Sequence, residues 1–377
     1  MPPSTRFLHT ADWQLGLRAR FIPGDAGAIV RNERLRTLHR IGAVARETKA
    51  EFVIVAGDVF EDHGLRPDTL RLSFEAMTQI SVPIYLLPGN HDPLSSDALY
   101  RGDVWRRECP RHVHVLGSRE PVIVREGVAL LGCPLLERQS LGDATEHLTP
   151  ELGPSGHVRI GVAHGGIKEV LERLVGDGEP LNNAIPADRA ARARLDYLAL
   201  GDWHGLLRID DRTWYPGTPE ATRFKEKDPG NVLEVEIDGP GAVPRVTPHP
   251  VAGLEWKKAE LRLDGDADLA SLQRLLDGFA RKDTTLLELT LTGRIDASVR
   301  ARLDAEILDK ARDRFRFLRV RDEQLQTFLG EADVATLPTE GWLGQAVARL
   351  RGEIEGTSEV ERSRALRLLH YFHGAVS

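Results

Sequence analysis

Residues 83–92 read PIYLLPGNHD, and this stretch decides the fold. Its first half is a short apolar run of β character. Its second half is a glycine turn that presents an amide, an imidazole and a carboxylate. The same arrangement recurs four times. RFLHT (6–10) leads to Asp12, FVIVA (52–56) to Gly57-Asp58, RIGVA (159–163) to His164-Gly165, and YLAL (197–200) to Gly201-Asp202-Trp203-His204. Each polar group therefore stands where a strand ends, the edge of open α/β sheets at which ligands bind. The apolar runs are continuous rather than alternating, which predicts strands covered on both faces.

Helical patterns lie between these runs. Asn32 reads as the N-cap of a helix with Leu35, Leu38, Gly42 and Ala45 at helical spacing. Pro67 opens another, with Leu70, Phe74 and Met77 on one face. Alternating strands and helices imply βαβ units, and the later hairpin pattern RIDDRTWYPG (208–217) makes the sheet mixed. The expectation is an α/β domain over residues 1–250.

The chain has 377 residues, enough for two or three domains. The Pro- and Gly-rich stretch DGPGAVPRVTPHP (238–250) predicts a break. Residues 251–335 then read strand, helix, strand, helix, strand, a small α+β unit without clustered metal ligands. In residues 336–377, Leu343, Val347, Leu350 and Ile354 repeat at helical spacing, as do Leu366, Leu369 and Phe372. Gly356-Thr357-Ser358 separates the two runs. Such a helical hairpin must cover its apolar stripes on its own chain or on a partner, and the stripes alone leave both open.

Hydrophobic content is 41% and charged content 28%, ordinary for a soluble globular protein, and no run reaches the roughly 18 apolar residues of a membrane span. The stretch MPPSTRFLHTADW has no apolar core of signal-peptide length, which predicts a cytoplasmic protein. Cys109 and Cys133 read as free, buried thiols. The net charge of −7 does not exclude a polyanionic partner, because several of the acids are candidate cation ligands.

Carboxylate, amide and imidazole groups together suit hard and borderline divalent cations, and two such ions about 3.5–4 Å apart cut phosphate esters. Asp58 is the candidate bridge. Asp12 completes one ion and Asn90 the other through its amide oxygen, with His164, Asp202 and His204 supplying the rest. His91 is placed as proton donor to the leaving oxygen, and Asp92 as the group that orients its imidazole. Taken singly, Gly-Asp after a strand is an ordinary turn; the weight lies in five motifs in this order. His9, inside the first run, reads as a core residue. His63 is a weaker candidate for substrate contact. The remaining histidines match no ligand spacing.

With these motifs the chain resembles the SbcD nucleases, bacterial members of the double-strand-break repair nuclease family within the calcineurin-like metallophosphoesterases. The matching stretches are FLHTADWQLG, VIVAGDVFED, LLPGNHD, VAHGG, YLALGDWHG and YPGTPEATRF, between residue 6 and about residue 226. The resemblance implies a calcineurin-like fold of mixed β-sheets sandwiched by helices. It implies a manganese-dependent DNA exonuclease and endonuclease that works as a homodimer. Residues 251–335 would be a DNA-facing cap. Residues 336–377 would dock on the coiled coil of an SbcC-type ABC ATPase. The family usually has histidine where this chain has Gln14 and Asp202. Both are retained as ligand candidates, and both exchange nitrogen for oxygen, which favours manganese or magnesium over zinc.

No Gly-x-x-x-x-Gly-Lys loop is present, so ATP hydrolysis is assigned to the partner. Candidate DNA contacts are Arg18, Arg20, Arg223, Lys225, Lys227, Lys257 and Lys258, although Lys225-Glu226-Lys227 has the pattern of a solvated charged loop. Two competing readings are a phosphodiesterase or phosphatase for another phosphoester, and a non-catalytic DNA-binding scaffold with a degenerate metal site.

Overall fold

The computed structural model describes residues 4–140, 142–167, 170, 183–328, 340–342, 344–345 and 348–349. The chain divides into two compact units, Met1–Leu254 and Glu255–Ser377. The apolar positions of the expected C-terminal hairpin, Leu343 to Phe372, lie outside the described residues.

The first unit is built on two six-stranded sheets. In one, β1 (Thr5–Thr10), β2 (Val53–Val55), β3 (Ile84–Leu86) and β4 (Val113–Val115) run parallel, and β11 (Asn231–Ile237) and β12 (Arg245–Pro250) extend the β1 edge antiparallel. In the other, β6 (Val128–Gly132), β7 (Val158–His164), β8 (Tyr197–Gly201) and β10 (Thr213–Tyr215) are parallel. Antiparallel β5 (Val122–Arg125) and β9 (Leu207–Arg208) close its edges.

The sheets face one another across an apolar layer. Phe7, Phe52, Ile54, Tyr85 and Leu87 meet Val128, Leu130, Ile160, Val162 and Tyr197 there. The other face of the first sheet is covered by α1 (Gly24–Thr48) and α2 (Pro67–Met77), through Leu38, Ile41, Leu70, Phe74 and Met77. The other face of the second carries a separate cluster that includes Ile167, Ile185, Ala190 and Leu195. Continuous apolar strands follow from this double coverage.

Two local expectations need correction. Helix α1 starts at Gly24, so Asn32 lies inside it; Gly27 and Val30 already continue the buried face two turns earlier. The Pro-rich stretch 238–250 is the turn and second strand of the β11–β12 hairpin, and the unit ends at Leu254. Pro248 and Pro250 are tolerated because β12 is an edge strand.

The second unit is a three-stranded parallel sheet, β13 (Glu255–Leu263), β14 (Thr285–Asp296) and β15 (Phe317–Phe328). The helix Ala267–Asp277 crosses from β13 to β14. The stretch 297–314, helical with a π-helical segment at Leu303–Leu308, crosses from β14 to β15. Leu269, Leu272, Leu276, Leu303, Ile307 and Leu308 pack on Leu287, Leu289 and Leu291.

Phe52 stacks on Phe7 at 5.1 Å between ring centroids and meets Tyr85 edge-on at 5.9 Å. Truncating it opens a cavity between the sheets. Phe52→Ala should destabilise the first unit by about 3–5 kcal/mol in urea unfolding; a loss below about 1 kcal/mol would mean the layer can collapse around the gap.

Candidate metal centre

The parallel register of β1 and β2 continues past the strand ends. Ala56 N–H donates to Thr10, Asp12 N–H to Gly57 at 3.0 Å, and Gln14 N–H to Asp58 at 2.9 Å. The two loops are thus zipped together and present Asp12 and Asp58 side by side. Asp12, Gln14, Asp58 and Asp202 all adopt positive φ, at 53°, 43°, 51° and 98°. Residues other than glycine seldom do so, and such strain is held where surrounding structure over-determines it. Gly57 has a different constraint: a Cβ there would stand 2.1 Å from the His164 ring. A Cβ on Gly89 would fall 2.3 Å from the Asp58 carboxylate. These glycines let the strand-end loops close on one another.

Asp12, Asp58 and His164 are buried, with ligand atoms all within 4.8 Å of one another. The other side chains sort into two groups around them. In the first, His204 Nε2 lies 3.9 Å from Asp12 Oδ1 and 3.4 Å from the Gln14 amide. In the second, His164 Nε2 lies 2.7 Å from Asn90 Oδ1 and 3.8 Å from Asp202 Oδ1. Asp58 reaches His164 at 3.4 Å and stays within range of Asp12, as a bridging carboxylate must. Asp202 stands on the open side, its side chain 38% exposed, while its N–H donates to both Asp12 oxygens at 3.2 Å.

The imidazoles are oriented from behind. His164 Nδ1 donates to the Ala56 carbonyl at 2.8 Å, and His204 Nδ1 to Glu226 Oε1 at 2.6 Å. Each proton is thereby fixed on Nδ1 and each Nε2 is turned into the acid cluster. Metal-binding histidines use this arrangement to fix tautomer and ring angle. The buried oxygen and imidazole donors of Asp12, Asp58 and His164 fit a divalent cation.

The electrostatics agree. Burial pushes Asp12 up to about 7, with Asp58 and Asp202 adding to the rise against the pull of His204 and His164. Burial also opposes the ionised form of Asp58, but His164 and His91 overcome it and hold Asp58 at about 2. His164 is raised well above its ordinary value: burial resists the charge, and Asp58, Asp12 and Asp202 outweigh it. The cluster demands positive charge and meets part of that demand with protons.

His91 is placed beside the acids, with its side chain 31% exposed. Its N–H donates to Asp58 Oδ1 at 2.9 Å, its Nδ1 to the Glu61 carbonyl at 2.9 Å, and its Nε2 lies 4.0 Å from Asp58 Oδ2. Asp92 does not hold this ring, contrary to expectation. It is fully buried, and its oxygens accept from Gly89 N–H, Phe60 N–H and the Tyr100 hydroxyl at 2.8, 3.1 and 2.5 Å. It braces the turn that carries Asn90 and His91.

The structure also corrects the Lys225-Glu226-Lys227 pattern. Both lysines and Arg223 are exposed, but Glu226 turns inward to His204 and accepts from Thr222 N–H at 2.8 Å. Charge alternation gave no sign of this. Arg18 and Arg20 are exposed on the loop after β1. Lys257 and Lys258 lie on β13 in the second unit, where Lys258 pairs with Glu288 at 3.5 Å. His63 lies with Nε2 3.3 Å from the Ser95 hydroxyl. His9 is a core residue bonded to the Tyr197 hydroxyl at 2.9 Å. Both cysteines are free, Cys133 buried and Cys109 half-buried.

Residues 5–235 match the family model described as calcineurin-like phosphoesterase. Among curated proteins, the chain is similar to the uncharacterized metallophosphoesterase YhaO of Bacillus subtilis (strain 168), 24% identical over 289 residues, covering 72% of this chain and 66% of that one. It is similar to an SbcCD nuclease subunit of the same organism, 26% identical over 263 residues, covering 59% of this chain and 63% of that one. A third relative is an SbcCD nuclease subunit of Rhodobacter capsulatus, 28% identical over 364 residues, covering 80% and 84%. The chain thus spans less than two thirds of the first two relatives.

Two outcomes follow from the geometry. Glu226→Gln should weaken manganese binding by about 10–100-fold in calorimetric titration, while leaving the unfolding transition in place. An unchanged affinity would remove Glu226 from any role at the centre. A cation must also displace the proton that Asp12 carries below about pH 7. Metal affinity should therefore fall as pH drops through that value, with net proton release on binding; affinity independent of pH would contradict the buried-carboxyl account.

Proposed function

The chain belongs to the calcineurin-like phosphoesterase family, and from that premise we propose that it is a metal-dependent DNA nuclease. Its reaction is hydrolysis of phosphodiester bonds, exonucleolytic and endonucleolytic. Its setting is double-strand-break repair or DNA end processing. The observation that carries the reaction is the pair of imidazoles, each fixed through Nδ1, with Nε2 of His164 3.4 Å from the buried Asp58 and Nε2 of His204 3.9 Å from the buried Asp12. When bound there, two divalent cations would neutralise the phosphoester and lower the pKa of an attacking water. Asp12, Gln14 and His204 would hold one, Asn90, His164 and Asp202 the other, with Asp58 between them. The oxygen-rich donor set favours manganese, with magnesium next and zinc last.

The rest is done by groups of this chain. Glu61 holds His91 through Nδ1, and Nε2, 4.0 Å from Asp58 Oδ2 on a partly exposed side chain, would face a bound ester. From there Nε2 can pass a proton to the leaving oxygen. Asp92 and Tyr100 keep the turn beneath it rigid. DNA as substrate is supported by the two relatives named as SbcCD nuclease subunits and by the stretches shared with that family. The family resemblance extends the proposal to a homodimer, a DNA-facing second unit and an SbcC-type ATPase bound by residues 336–377, and we place the protein in the cytoplasm.

The test is cleavage of end-labelled duplex and single-stranded DNA with manganese, magnesium or zinc. The expected result is manganese-dependent cutting, reduced about 10²–10⁴-fold by His91→Ala with metal binding intact. Metal binding without DNA cleavage, but with turnover of a small phosphodiester, would replace DNA by another substrate. DNA binding without metal uptake would reduce the protein to a scaffold.

A further inference from the structure

One loop, residues 218–226, touches the first metal group at several points. The Thr218 hydroxyl donates to the Asp12 carbonyl at 2.9 Å. Arg34, buried on α1, donates to the carbonyls of Trp13 at 2.9 Å, Asp12 at 3.3 Å and Glu220 at 2.8 Å. Its fork locks the first-motif turn onto this loop. At the far end of the loop, Glu226 fixes His204. Asp12 and His204, both in the first group, thus share one support.

The same loop also grips the chain where the first unit ends. The Glu220 carboxylate is 1% exposed and accepts from Gly253 N–H at 2.8 Å and Leu254 N–H at 3.2 Å. It also takes the Thr37 hydroxyl at 3.1 Å and lies 3.6 Å from Arg40, whose Nε donates to the Val251 carbonyl. Leu254 is the last residue of the first unit. Of the second group, His164 rests on the Ala56 carbonyl, Gly165 on the Tyr215 hydroxyl and the Asn90 turn on Asp92; the Asp202 N–H, which donates to the Asp12 oxygens, is a link to the first.

We propose that Glu220 is a positioning residue that couples the exit segment Val251–Leu254 to the metal group of Asp12, Gln14 and His204, and not to that of Asn90, His164 and Asp202. A shift of the exit segment would pull Glu220, and with it the carbonyls held by Arg34 and Thr218. The occupancy of one cation would thus depend on how the chain leaves the unit. A buried ion-paired carboxylate suits such a link, because its bonds cannot be exchanged for water without cost. The inference rests on the two-metal reading above.

The test is manganese titration of the full chain, by calorimetry and by the spin-coupled paramagnetic signal of a manganese pair. In Glu220→Ala one site should weaken at least about tenfold and the other stay within about twofold, the scale of lost support behind a ligand. The spin-coupled signal should give way to that of an isolated ion, and the surviving site should be the one that Asn90→Ala removes. Equal weakening of both sites, or no change in either, overturns the coupling. Should Glu220→Ala fail to fold, Glu220→Gln keeps the volume and one acceptor oxygen; it should show a smaller loss at the same site, and an even loss overturns the proposal. If the wild type itself takes up fewer than two ions, the two-metal reading falls and the coupling with it. Two ions in the wild type with an unselective variant sink the coupling alone.

Discussion

Asp12 and Asp58 are two buried carboxylates with ligand atoms within 4.8 Å. At an effective dielectric near 20, their mutual repulsion when both are ionised is about 3–4 kcal/mol, before any cost of desolvation. A protein does not keep such a pair together by accident of packing. Parallel pairing of β1 with β2 fixes their spacing, and the backbone bonds between the two loops remove freedom to splay apart. Positive φ at both residues turns the side chains to the same side. His164 supplies a compensating charge, and the remaining demand is the binding energy that a cation would use.

Much of the fold follows from serving that pair. Three strand ends of one sheet and two of the other converge on it, which requires the sheets to face each other closely. The aromatic layer around Phe7, Phe52 and Tyr197 sets that spacing. Glycine at positions 57 and 89 is needed because the strand-end loops approach within what a Cβ would occupy. Polar groups on α1 that would normally face water, Arg34 and Thr37, are instead turned inward to bind the carbonyls and carboxylate of the loop at 218–221.

The grouping of the candidate ligands is legible because it is local. Each candidate is at or just beyond an apolar run, and strand periodicity placed it at a sheet edge without knowledge of the tertiary structure. What could not be read depends on closure of distant segments. Glu226 has the charge pattern of a solvated loop, and only the return of residues 218–226 to the β1 loop brings it to His204. Asp92 follows His91 in sequence, yet the turn at Gly89 sends its carboxylate down into the core toward Tyr100. The Pro- and Gly-rich stretch 238–250 reads as a break because composition cannot distinguish a break from a hairpin whose second strand is an edge. Asn32 looked like a cap because the buried face of α1 begins with Gly27 and Val30, a weak apolar signal.

We propose that these residues hold two cations, one on either side of Asp58. Anomalous diffraction from crystals grown with manganese tests it most directly. The account predicts two peaks about 3.5–4 Å apart, one beside Asp12 and His204 and one beside Asn90 and His164, with Asp58 touching both. A single peak, or two peaks that share no carboxylate, would contradict it.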